Sequence, residues 1–143
     1  MAASTTARLG AGTVLSFEDP ANSGTFIELA NATAIGATGE QGEFVETTPI
    51  SATTRTYIGG MKTPPDKEIT LNDVPGDTDQ EKFLTAARNG ETVSMKVTFS
   101  TGRTGSFSLV LSGYQVNEPT NNEAVTVTVF GKQSGDTTWT VSA

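Results

Sequence analysis

TVSMKVTFS (residues 92–100) puts Val93, Met95, Val97 and Phe99 on one side of an extended chain and Ser94, Lys96 and Thr98 on the other. A period of two marks a strand with one buried and one wet face. TGRTG (101–105) follows, and its glycines supply the positive φ that a hairpin turn needs. SFSLVLSGYQVNE (106–118) then resumes the alternation with Phe107, Leu109 and Leu111. Its apolar parity switches to Tyr114 and Val116 beside Gly113, as a β-bulge would cause. An antiparallel hairpin with one apolar face must bury that face under another layer, so this stretch restricts the chain to a β architecture.

The same period recurs elsewhere. TVLSFED (13–19) pairs Leu15 with Phe17, and GTFIELANATAI (24–35) sends Ile27 and Leu29 inward with Phe26, Glu28 and Ala30 opposite. KEITLND (67–73) pairs Ile69 with Leu71 and leaves Glu68, Thr70 and Asn72 outward. EAVTVTVFGKQ (123–133) alternates Val125, Val127 and Val129 with Thr126 and Thr128, and TTWTVSA closes the chain with Trp139 and Val141. Thr occurs 25 times and Gly 15 times, a composition that suits strands and turns. One helix is predicted at about 79–89 in TDQEKFLTAARNG. Thr78 and Glu81 stand at capping-box spacing, Asp79 near the positive end of the dipole, and Gly90 after Asn89. Phe83, Leu84 and Ala87 form its apolar face. The expected fold is all-β, a β-sandwich or open barrel with one short α-helix and a long inter-strand loop, over a single domain of residues 1–143 with an N-terminal arm at 1–12. At this length roughly two-thirds of the surface can be buried on folding.

Several functions are excluded by residue type. The chain has no Cys and no His, which removes the usual zinc ligands, the Ser-His-Asp triad and the thiolate nucleophile together. The lack of disulfides suits a cytosolic origin. Sixteen acids against nine scattered bases give a net charge of −7, the wrong sign for gripping nucleic acid. No basic start with an apolar core suggests a signal peptide, and no run approaches the roughly 18 apolar residues of a membrane helix. DTDQEK (77–82) begins like a calcium loop, but Lys82 and Arg88 occupy the positions that need Gly and Glu, so its acids are read as favouring a helix N-terminus. GAGT (10–13) lacks the third glycine of a dinucleotide loop, and NAT (31–33) lacks the secretory context of a glycosylation acceptor. Glu40, Glu43 and Glu46 are read as solvated acids in a Gly-rich loop. No catalytic, metal or cofactor residue is expected.

The segment from 36 to 66 does not fit the alternation. About thirty residues pass without a sustained period, longer than most loops in compact domains. The segment holds Phe44, Ile50, Tyr57, Ile58 and Met61, too many apolar groups for a solvated linker. Two readings fit: an Ω-type loop folded over its own domain, or an arm whose apolar groups dock on a neighbouring subunit.

The order GAGTVL, GTFIELANATAIG, TTPISATTRTYIGGMKTPPDKEITL, DQEKFLTAARNGETVSMKVTF and SGYQV resembles the tail tube protein, or major tail protein, of long-tailed, non-contractile bacteriophages. The resemblance spans nearly the whole chain and is most specific in TTRTYIGGMK…EITL and FLTAARNGETVSMKVTF. TPPDKE (63–68) departs from the family's more glycine-rich turn, and the length leaves no room for the extra immunoglobulin-like domain of many members. The resemblance implies rings of six that stack helically into a tube around a channel for DNA, which first encloses the tape measure protein. Tail tip or initiator and terminator proteins are the implied partners, and the virion tail, assembled in the host cytoplasm, is the implied location. DNA passes without specific binding, and no membrane is involved. The 36–66 segment becomes the stacking loop, with Phe44, Ile50, Tyr57, Ile58 and Met61 as its contacts. The family pattern places Phe26, Glu28, Glu68, Thr70, Asn72, Ser94, Lys96 and Thr98 toward the lumen; alternatively these acids keep an outer surface soluble. The other functions in view are a tube protein of a contractile tail or type VI-like injection system, which the motifs favour less, and a bacterial surface β-sandwich, against which the missing secretion signal counts.

Overall fold

The computed structural model describes residues 6–141. The first five residues of the expected arm and the last two of the expected closing strand lie outside the described residues. In chain order the elements are β1 (Val14–Glu18), β2 (Phe26–Glu28), β3 (Ala32–Ala34), β4 (Gln41–Glu46), β5 (Tyr57–Thr63), β6 (Asp66–Asn72), α1 (Thr78–Arg88), β7 (Thr92–Thr98), β8 (Arg103–Val116) and β9 (Thr126–Val141). Seven strands form one antiparallel sheet in the order β2-β1-β7-β8-β9-β6-β3, and β4 and β5 form a separate two-stranded ribbon.

The sheet is an open barrel, and a short connection forces it to curl. β2 lies on one edge and β3 on the other, with only Leu29, Ala30 and Asn31 between them. Four peptide steps span at most about 14 Å, so the two edges are held near each other. The link is hydrogen-bonded on both sides: the Leu29 N–H donates to Leu15 O (2.8 Å), and the Asn72 N–H donates to Asn31 O (2.9 Å). The alternation in GTFIELANATAI, read above as one strand, therefore belongs to two short strands on opposite edges. Ile27 and Leu29 do turn inward, Leu29 being buried.

Inside the curl lies the core expected from the alternation: Leu15, Phe17, Ile69, Leu71, Met95, Val97, Leu109, Leu111, Val127 and Val129 are all buried. Helix α1 packs against β8 and β9 and inserts Phe83 beside Phe17, with ring centroids 5.1 Å apart and planes tilted by 47°. The helix begins one residue earlier than expected, and its N-cap is Asp77, whose carboxylate accepts the Asp79 N–H, so the cap is not Thr78. The acids of DTDQEK thus serve the helix start. Gly90 (φ 71°) ends the helix in the left-handed conformation its position predicts. Gln80, buried at 1% exposure, donates to Asn72 O (2.6 Å) and accepts the Val74 N–H (2.9 Å), tying α1 to the end of β6.

The long hairpin β8–β9 departs from regular pairing twice. The register shifts between Leu111 and Gly113, where Gly113 (φ 132°) forms the bulge that the parity switch predicts. It shifts again between Ser106 and Ser108, where residues 135–137 of β9 stand opposite Phe107 alone. The two C-terminal runs, expected as separate strands, are one strand of 16 residues.

The 36–66 segment is not the aperiodic loop of the sequence reading. It forms the β4–β5 ribbon, joined by residues 47–56 and returned to β6 by Pro64 and Pro65.

Candidate assembly surfaces

The ribbon pairs Gln41 with Thr63, Gly42 with Lys62, Phe44 with Gly59, Val45 with Ile58 and Glu46 with Tyr57, with a register shift between Gly42 and Phe44. In this register Phe44 and Tyr57 share one face, and Val45 and Ile58 share the other. The shift absorbs an extra residue near Met61, which hid the alternation from a sequence reading. Gly60 fits the crossing because a Cβ there would stand 3.0 Å from Glu43 O. All five residues expected to contact neighbours are exposed: Phe44 at 79%, Ile50 at 106%, Tyr57 at 53%, Ile58 at 56% and Met61 at 88%. An isolated two-stranded ribbon is marginal in water, and this one presents apolar groups on both faces.

The base of the ribbon is fixed by two polar anchors that the sequence reading missed. Lys67, only 4% exposed, faces inward with Ile69 and Leu71. Its Nζ donates to Ala37 O (2.8 Å) and Thr38 Oγ1 (3.1 Å) and lies 5.1 Å from the Phe107 ring centroid. Burial pushes the amine down to about 8. Glu40 is not a solvated acid. Its Oε2 accepts the Thr137 hydroxyl (2.9 Å), the Thr137 N–H (3.2 Å) and the Gln133 amide (3.2 Å). The Thr137 hydroxyl leads these bonds in holding Glu40 below the usual carboxylate range, against an opposing effect of burial. Of its two companions, Glu46 is exposed and meets Arg55 at 3.8 Å, and Glu43 is exposed. Inward parity at Lys67 was the available signal; Glu40 left none, because its partners are 93 and 97 residues away.

The second surface is the face of the sheet turned away from the core. The register aligns Glu28, Ser16, Lys96 and Ser106 across four strands, and Ser94 with Ser108 and Thr98 with Thr104 beside them. Glu68 lies opposite Phe130, Thr70 opposite Thr128 and Asn72 opposite Thr126. All seven polar residues singled out on the sequence therefore share one sheet face. Glu28 and Glu68 are exposed, and Thr70, Asn72, Ser94, Lys96 and Thr98 are half-buried. Phe26 is roofed by Lys96, whose Nζ stands 4.9 Å from the ring centroid. The same face carries Glu18, Asp66 and Lys132, the last two 3.5 Å apart, so acids outnumber bases on it.

Comparison with solved structures places this fold among tubes. The tail of an empty GTA particle refined with C6 symmetry matches with a TM-score of 0.74 at 17% identity, over 94% of this chain and 100% of the other. The anti-feeding prophage tube-terminating cap matches with a TM-score of 0.74 at 9% identity, over 98% and 95%. The SPP1 tail tube matches with a TM-score of 0.67 at 12% identity, over 90% and 76%. The fold is thus the one these tails and this tube cap share. Residues 8–141 match the family model of the phage tail tube protein family, and the chain belongs to that family. No curated protein matches the chain.

Proposed function

We propose that the protein polymerises as stacked hexameric rings into the tube of a non-contractile phage tail, which encloses the tape measure protein and later conducts DNA. The observation that carries this reading is the ribbon, rigidly rooted by Lys67 and Glu40 yet apolar and uncovered on both faces. Such a surface gains its burial from neighbours. Covering the exposed half of Tyr57 or Ile58 contributes roughly 1–1.5 kcal/mol each. The acidic, hydroxyl-rich sheet face is the lumen wall on this reading. Its repeated carboxylates keep passing phosphates off the wall within a Debye length of about 8–10 Å, without releasing counterions to adhesive contacts. The protein performs no turnover. Its partners are itself, the tape measure protein and the tip and terminator proteins, and it is built into the virion tail in the host cytoplasm.

Electron microscopy of the purified protein tests the proposal. Rings or tubes are expected for the natural chain, and folded protein that does not elongate for the Tyr57→Ser/Ile58→Ser variant. Dispersed monomers at every concentration would favour a surface interaction module. Similarity to the sheath–tube complex of an extracellular contractile injection system makes a contractile system the second reading, and co-assembly with a sheath protein would decide for it.

A further inference from the structure

The tip of the ribbon is a preformed knob. Thr47 N–H donates to Thr56 O (2.9 Å), Thr56 N–H to the Thr48 hydroxyl (2.8 Å) and Ala52 N–H to Pro49 O (3.0 Å). These bonds fold residues 47–56 into a tight turn that holds Ile50 in the open, and the only charge in that turn is Arg55. Arg55 reaches only the exposed Glu46 at 3.8 Å, a contact weak enough to be exchanged for another.

Elsewhere on the molecule, the β1–β2 loop and the outer side of α1 enclose a groove of about 440 Å³. Its lining is mostly apolar and includes Pro20, Ala21, Thr85 and Ala86. Glu81 and Glu91 also line it, and the Asp19–Lys82 pair (3.9 Å) cancels its own charge. Asp19 is locked in place by accepting the Ala21 N–H (2.9 Å), which stiffens the loop wall.

We infer that this groove receives the ribbon tip of a second copy of the chain, with Ile50 on the apolar lining and Arg55 against Glu81 and Glu91. Knob and groove match in polarity, and Arg55, on exchanging its exposed partner Glu46, meets an excess of acid. They share no residue, so a copy can give its tip to one neighbour and accept the tip of another; used that way the contact is heterologous and builds rings or open polymers, whereas a reciprocal exchange would close a dimer and give no ladder. The inference rests on the tube reading above and adds the receiving surface to it.

Because the chain has no cysteine, engineered thiols report this contact without background. Ser51→Cys leaves Ile50 in place; combined with Thr85→Cys, or with Ala21→Cys as a second acceptor, it is expected to give a ladder of disulfide-linked oligomers under oxidation. Each single variant is expected to stop at the dimer. Glu81→Lys/Glu91→Lys is expected to raise the concentration needed for assembly at least tenfold, and Arg55→Glu to restore it. Tubes that form without a 51–85 or 51–21 link, and charge reversals without rescue, overturn groove docking while leaving the ribbon's role intact. Elongation of Tyr57→Ser/Ile58→Ser would instead defeat the ribbon's part in stacking, and dispersed monomers of the natural chain at every concentration would defeat the tube reading itself. Dispersed chains with no ladder in either pairing also overturn the inference.

Discussion

Lys67 is a cation held indoors without a carboxylate beside it, and its energetic signature can be measured. Its partners are a carbonyl, a hydroxyl and an aromatic face, which hold the ammonium but do not replace its hydration. The amine falls from 10.5 to about 8 on folding. At pH 7 both folded and unfolded chains carry the proton, and the folded state bears the full cost of burying the charge. Between pH 8 and 10.5 the folded amine has lost its proton while the unfolded one keeps it, so stability rises with pH in that window. The shift corresponds to at most about 3 kcal/mol at 1.36 kcal/mol per unit, and roughly 2 kcal/mol after discounting for residual hydration of the ammonium. In a domain of this size that is on the order of 4–8 °C in Tm. Urea or thermal unfolding of unassembled protein should be run from pH 7 to 10.5 for the natural chain and for Lys67→Met. The difference between the two cancels tyrosines and surface lysines that titrate in the same range. The natural chain should gain on the variant across the window. Lys67→Met itself leaves Ala37 O and the Thr38 hydroxyl without their partner, so its effect at pH 7 is small, gain and loss opposing each other. A stability difference that does not change with pH would falsify the account of a charged, desolvated Lys67.

Glu40→Gln should speed hydrogen exchange in β4 with little change in the core. In the natural chain this anchor should weaken as pH falls below about 4.5 and through the lowered folded value, because protonation removes the acceptor that Thr137 and Gln133 share. Asp77→Ala removes the cap of α1 and should cost about 1 kcal/mol by urea unfolding; no loss would mean that another group caps the helix. Glu28→Lys/Glu68→Lys tubes, on the proposed lumen reading, should bind DNA with a new dependence on salt and slow its passage. Unchanged affinity and ejection from tubes that still assemble would place those acids elsewhere.

Alternation made the core legible because a period of two needs no partner to be read: Leu109, Met95 and Ile69 declare their face within a few residues of chain. The parity switch at Gly113 disclosed a bulge for the same reason. The exposed apolar groups of the ribbon were also legible, since an apolar residue in an otherwise polar, Gly-rich segment stands out by composition. The ribbon itself was not, because its register shift near Met61 breaks the period on which the reading relied. The division of GTFIELANATAI between two edges was equally hidden, because its residues alternate whether one neighbour strand or two receive them.

Local chemistry in the sequence determined which faces are apolar, where the helix stops and that His- or Cys-based catalysis is impossible here. The tertiary structure alone decided that the sheet curls until its edges meet through residues 29–31. It also decided that Glu40 and Lys67 act as anchors, and that the polar faces of β2, β6 and β7 join into one surface. Those outcomes depend on pairings across tens of residues, where a carboxylate is an anchor or a solvated acid according to which hydroxyl folding brings beside it.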